Sequence, residues 1–263
     1  MDDLFEQLSY DAAVKITEGK GLDSFKYQNY SVANQAVVKR VTAKMLTIPS
    51  KLQTLKTKYV SGLRQLLRRV RSNKMMPDSI NALGTRLVQN YFTEAYLLGL
   101  RSGGVNIKTI ALVKPQDRQY LNRIVQEESG FLYRYILQVF NGTAAASKDE
   151  HRLQMYAASL NAIYQTGKVN SLPSNTLIFW RGKLDSSTCA SCSYLLKNSP
   201  YLPSTLPTTP QSDLTLCMSN CRCKLGIINS NAFPKSVRRA NRRKKSVHLT
   251  TLNSILRRHG RRA

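Results

Sequence analysis

The sequence predicts a mainly α-helical protein: an N-terminal helical body, a small zinc-bound β-hairpin module and a basic C-terminal arm. Three observations predict it. Apolar residues recur at helical spacing over long segments between residues 50 and 165. All five cysteines lie between Cys189 and Cys223, in two short knuckles. From Lys235 to Ala263 there are eleven Lys or Arg and no acidic residue. The divisions expected from these shifts are residues 1–170, 171–230 and 231–263.

The chain has 263 residues, enough for a buried core in one large or two smaller domains. Its hydrophobic fraction of 42% is close to that of ordinary globular proteins, whereas its net charge of +25 is far from average. Such a surface attracts polyanions, nucleic acid first and an anionic membrane second. No apolar run approaches the ~20 residues needed to span a bilayer. The opening Met1-Asp-Asp-Leu-Phe-Glu is acidic where a signal peptide would be basic, so a cytoplasmic site of synthesis is expected.

In chain order, residues 2–18 read as a short amphipathic helix through Leu4, Phe5, Leu8, Ala12 and Ile16, ended by Gly19-Lys-Gly21. The stretch from Gly21 to Tyr30 reads as a loop, and residues 31–46 as helix. Ser50 is the predicted N-cap of a helix to about Ser72, with Leu52, Leu55, Tyr59, Leu63, Leu66, Leu67 and Val70 as its stripe. Arg64, Arg68, Arg69 and Arg71 crowd its C-terminal end, where the helix dipole favours cations. Pro77 fits the first turn of a helix to about Arg101, closed by Ser102-Gly-Gly104. A third long helix follows Pro115 and stops at Asn141-Gly142. Ser147-Lys-Asp-Glu150 has the form of a capping box, opening a helix to about Gln165 that Gly167 closes. Long helices joined by short turns predict a bundle.

The period then changes. Leu177-Ile-Phe-Trp180 and Lys224-Leu-Gly-Ile-Ile228 have strand character and are expected to pair, with a metal site at the end of the small sheet. Between them, Asn198 to Ser212 is rich in Pro, Ser and Thr, which favours an extended loop over a core.

Cys189-Ala-Ser-Cys192 and Cys217-Met-Ser-Asn-Cys221-Arg-Cys223 are the chemical centre of the sequence. Each knuckle delivers thiolates from one tight turn, and four of the five would fill a tetrahedral zinc site. A site so filled leaves no position for substrate, so the predicted cofactor is structural Zn2+ rather than a catalytic ion. Spacing does not select which four bind. An odd cysteine count in a reducing compartment also argues against a disulfide framework. Asp185, just ahead of the first knuckle, reads as a turn former.

The arm supplies the candidate nucleic-acid contacts: Arg238, Arg239, Arg242, Arg243, Lys244, Lys245, Arg257, Arg258, Arg261 and Arg262. Leu249, Leu252, Ile255 and Leu256 fit a short helix between the two clusters. Binding through phosphates would weaken steeply with salt and show little sequence preference. No nucleotide-binding, zincin or nucleophile-elbow motif is present, and the three histidines read as surface residues, so no catalytic residue is assigned. A zinc-finger nucleic-acid-binding regulator and a metal-dependent nuclease are the alternatives that composition leaves open.

Trp180, Asp185 ahead of Cys189-x-x-Cys192, Leu195, and Asn220-Cys-Arg-Cys223 followed by Leu225 together resemble the minor head proteins of tailed bacteriophages, the Mu-type head-morphogenesis family. The resemblance covers about residues 177–228. The family closes its pattern with His-Pro-Asn-Cys-Arg-Cys; here Met218-Ser219 replace His-Pro and Cys217 stands one position earlier. If the family's histidine is a ligand, Cys217 is its substitute. The resemblance implies a non-enzymatic virion component made in the host cytoplasm and present in a few copies at the portal vertex or capsid interior. Its implied partners are the portal or major capsid protein and double-stranded genomic DNA, with no membrane.

Overall fold

The computed structural model describes residues 24–27, 41–45, 49–72, 76–182, 185–212, 214–229 and 245–259. It is mainly helical. The described residues fall into two units: Ile48–Ser171, and a second drawn from Met1–Thr47 together with Leu172–Ala263. This differs from the expected division, because the two strands found before residue 48 group with the cysteine-bearing part of the chain.

The first unit is made of four helices: α1 (Ser50–Arg71), α2 (Pro77–Ser102), α3 (Pro115–Phe140) and α4 (Asp149–Asn170). The stripe predicted for α1 is buried throughout, from Leu52 to Val70. It meets Phe92 and Tyr96 of α2, Leu132 and Ile136 of α3, and Leu160 and Tyr164 of α4 in one continuous apolar core. Pro77 and Pro115 open their helices, where a missing N–H costs nothing. Gly104 and Gly142 lie just past two helix ends with positive φ, as the turn signals predict.

Three helix-end expectations are corrected. Pro49, in extended backbone, occupies the N-cap expected of Ser50, which is the first helical residue and caps nothing. The capping box does not form: a 3-10 turn over Ala146–Lys148 moves the start of α4 to Asp149, and no side chain caps it. Glu150 instead accepts from Arg64 at 2.8 Å and from Gln154 at 2.8 Å. Asp149 takes a two-pronged bond from Arg71, Nε to Oδ2 at 2.8 Å and Nη2 to Oδ1 at 2.7 Å. Finally, α4 does not stop at Gly167 but runs on to Asn170.

The reason lies in the crossing of α2 and α4. A Cβ on Gly167 would sit 2.3 Å from the Tyr96 carbonyl oxygen, and one on Gly99 would sit 2.2 Å from that of Tyr164. The two glycines let the backbones touch. A residue that reads as a stop signal is therefore a packing device within a helix.

The second unit holds a four-stranded sheet of order β1–β2–β4–β3, with β1 Ser24–Tyr27, β2 Val41–Met45, β3 Thr176–Arg181 and β4 Lys224–Asn229. β3 and β4 pair antiparallel from Thr176↔Asn229 to Arg181↔Lys224, as expected. β1 corrects the predicted loop at 21–30, and β2 corrects the predicted helix at 31–46; β2 also pairs with β4 through Lys44↔Ile227 and Met45↔Gly226. The run Val41-Thr-Ala-Lys-Met45 alternates in period two, a signal too short to outweigh helical propensity over sixteen residues. The predicted helix over 2–18 lies outside the described residues.

Asn198–Ser212 is not the extended loop that its composition predicts. Pro200, Tyr201, Leu202, Leu206, Pro207 and Pro210 are buried. Tyr201 exchanges two 2.7 Å backbone hydrogen bonds with Ile178 of β3. Three apolar side chains among the prolines, and hydroxyls such as Thr205 that bond neighbouring backbone, let the segment form core.

Candidate metal centre

The cysteine site is assembled on three short pieces of backbone. Cys189 is the N-cap residue of α5 (Ala190–Lys197), an eight-residue helix that the sequence reading does not predict. Cys192 lies in the first turn of α5 and is buried. Leu195 and Leu196 on the same helix are fully buried. Cys217 precedes a 3-10 turn over Met218–Asn220; Cys221 follows in extended backbone, and Cys223 immediately precedes β4. Met218 takes a left-handed φ of 43°, a conformation uncommon for a long side chain, which tightens this knuckle.

The sulfurs gather around Cys192. Its Sγ lies 3.5 Å from that of Cys217 and 3.6 Å from that of Cys221, and Cys189 lies 3.4 Å from Cys217. Two triads result, Cys189–Cys192–Cys217 and Cys192–Cys221–Cys223, each with its ligand atoms mutually within 4.8 Å. Four sulfurs around a tetrahedral Zn2+ with Zn–S near 2.3 Å would be about 3.8 Å apart. The donor set and its spacing therefore fit a structural metal, and all five predicted cysteines are brought to one place. No disulfide joins any of them.

The ionisation of the cluster follows from its crowding. Hydrogen bonds with Cys189, then with Cys217, Cys221 and Cys223, push the Cys192 thiol up. The same contacts draw the others down: Cys217 through Cys189 and Cys192, Cys221 through Cys192 and Cys217, and Cys223 to about 4 through Cys192 and Cys221. Several thiolates in contact repel unless a cation lies among them.

Neighbouring residues hold the cluster in shape. Ser191, fully buried, accepts a 2.8 Å hydrogen bond from the Leu216 N–H and lies 3.3 Å from the Cys189 sulfur, joining the two knuckles. Trp180 is buried in β3; its indole N–H has no hydrogen-bond partner at normal distance, yet lies close enough to Cys223 to help draw that thiol down. A Cβ on Gly182 would meet the Cys223 sulfur at 2.9 Å, so glycine leaves the space that sulfur occupies. Asp185 is the turn former expected: its carboxylate accepts from the Ser187 N–H and the Thr188 hydroxyl, both at 3.1 Å. It also accepts from Arg222 Nη2 at 2.8 Å, tying the turn before Cys189 to the residue between Cys221 and Cys223. Arg222, its carboxylate's first partner, holds Asp185 below the usual aspartate range.

The predicted polyanion contacts are only partly described. Arg257 and Arg258 are exposed in the last turn of α6 (Lys245–Arg258), and the backbone of Lys245 begins that helix. Arg238, Arg239, Arg242, Arg243, Lys244, Arg261 and Arg262 lie outside the described residues. The predicted helical stretch is present, with Leu252 and Leu256 buried, and α6 packs against α5. His151 and His259 are exposed. In the helical unit, an open cavity of about 420 Å³ has the cations Lys51, Lys58 and Arg101 and the anion Glu94 among its lining residues, charges that the sequence reading did not single out. No described helix is long and apolar enough to cross a membrane. Comparison with protein-family models, curated proteins and solved structures finds no match to this chain.

Proposed function

We propose that the chain is a structural minor head protein of a tailed phage, which links portal or capsid to packaged double-stranded DNA and carries one Zn2+. The single observation that supports this reading is the convergence of the motif residues. Trp180, Asp185, Cys189, Cys192, Cys221, Arg222 and Cys223, scattered over 44 positions, meet in and beside one sulfur cluster, which Cys217, one position ahead of the family's histidine, also joins. A catalytic zinc site keeps an open position, whereas five thiols here compete for one ion, so a fold-pinning role is favoured. The ion would supply charge compensation and rigidity only, and no reaction is assigned. In this reading the helical unit docks on the protein shell, while the arm, with eleven Lys or Arg after residue 234, lies along phosphates.

The test is quantitative mass spectrometry and elemental analysis of purified particles of the phage that encodes the chain. The expected result is a few copies per particle with zinc in proportion. Absence of the chain from intact particles, with recovery only in the lysate, would transfer the reading to a free regulator.

A further inference from the structure

We infer that the metal centre governs the docking of the C-terminal cationic helix, so that occupancy of the cysteine cluster sets how firmly the arm holds a polyanion. The polyanion half of this inference rests on the proposed function; the docking half rests on the fold and on the metal held by the cysteine cluster. α5 is only eight residues long, too short to persist unaided. Its N-terminal end is Cys189 and Cys192, and Ser191 between them holds the second knuckle through Leu216. The metal ligands thus fix where this helix lies. α6 in turn packs against α5 and buries Leu252 and Leu256, one turn apart on one face.

α6 has no strong support of its own. Fourteen residues are marginal for an isolated helix, and this one contains no Asp or Glu to form pairs along its length. Neither Arg257 nor Arg258 takes part in an ion pair among the described residues. Docking on α5 is what turns these exposed arginines from side chains on a fluctuating strand into a fixed cationic array. A helix already ordered binds phosphates without first losing its conformational freedom. Removing the ion would remove the bonds that join the two cysteine knuckles, loosen α5 at its N-terminal end and take away the surface on which α6 rests.

The experiment uses the full chain, zinc-loaded or stripped with a chelator, and two readouts. Limited trypsin digestion followed by mass spectrometry reports cleavage at Arg257 and Arg258. Fluorescence anisotropy of a labelled 30-base-pair duplex at fixed salt reports affinity. Stripping is expected to speed cleavage at these sites at least about tenfold and to weaken duplex binding by about tenfold or more, the cost of ordering the helix on binding. Because a stripped chain can lose more than α6, Leu252→Asp provides the control. It should retain zinc while reproducing both effects. Equal cleavage rates with and without zinc, or a zinc-loaded Leu252→Asp that stays protected, would overturn the coupling. If zinc-loaded wild type fails to bind duplex while protection still tracks zinc, the polyanion reading falls and the docking half stands.

Discussion

The helical unit and the cysteine-bearing unit reach order by different means. In the first, four helices of 22 to 26 residues surround large side chains such as Tyr59, Phe92, Tyr96, Ile136 and Tyr164, each fully or almost fully buried. Burial of apolar surface at about 25 cal/mol per Å² suffices to hold such a core. In the second, a sheet of strands of four to six residues lies beside an eight-residue helix and a cysteine cluster with sulfurs 3.4–3.6 Å apart. Both units exclude water around an apolar core, and the second adds a cluster of five thiols whose spacing fits a structural metal. The proposed function uses the cysteine cluster, because a metal joining the two knuckles would hold a loop and a docked helix in one fixed surface.

The sharpest way to break the comparison is Cys192→Ser, which removes the sulfur common to both triads. Loss of a structural zinc is worth on the order of 10 kcal/mol in small metal domains. The variant should lose its ion and the blue-shifted fluorescence of buried Trp180, while circular dichroism retains the helices of residues 50–170. Gly99→Ala acts on the other side. Its Cβ would fall 2.2 Å from a backbone oxygen that cannot move alone, so we expect about 3 kcal/mol of destabilisation, read by denaturant melts of the helical signal, with zinc content unchanged in the folded fraction.

A smaller effect comes from Arg71→Ala, which leaves Asp149 with the Tyr135 hydroxyl at 2.7 Å but without its two-pronged partner. The expected cost is ~1–3 kcal/mol. Its pH dependence has a definite sign. Arg71 first, then Tyr135, lowers the pKa of Asp149 in the folded state, so its contribution is complete above the unfolded value near 3.9. That contribution is lost as pH falls through the lower folded value. Acid melts of wild type and variant should therefore converge once pH falls below the lowered folded-state value of Asp149. Smallest of all, Arg222→Ala breaks a solvent-exposed pair with Asp185 and should leave zinc content unchanged, with a melting shift close to the limit of calorimetry.

How much was legible in the sequence tracks this same division. The helices of residues 50–170 were readable because their stripes are long, and Leu52 to Val70 alone supplies eight buried positions at helical spacing. Gly167 misled because a glycine needed for backbone contact looks the same as one that ends a helix; only the facing Gly99 distinguishes them. In the second unit, the cysteines and the pairing of β3 with β4 were visible as local patterns. β2 was not, since its partner β4 lies about 180 residues away and no local signal records that. α5 escaped notice because Ala190 to Lys197 is two turns sitting inside a metal motif, and the packing of Asn198–Ser212 escaped because prolines mask its buried Tyr201 and Leu206.

The central claim is that the thiols gathered at Cys192 hold one metal ion. Native mass spectrometry of the purified full chain, with zinc supplied during expression, tests it most directly. The account predicts one zinc per chain, released on Cys192→Ser, with the thiols of the wild-type protein protected from alkylation. A chain that carries no metal and alkylates at all five cysteines while remaining folded around Trp180 would contradict it.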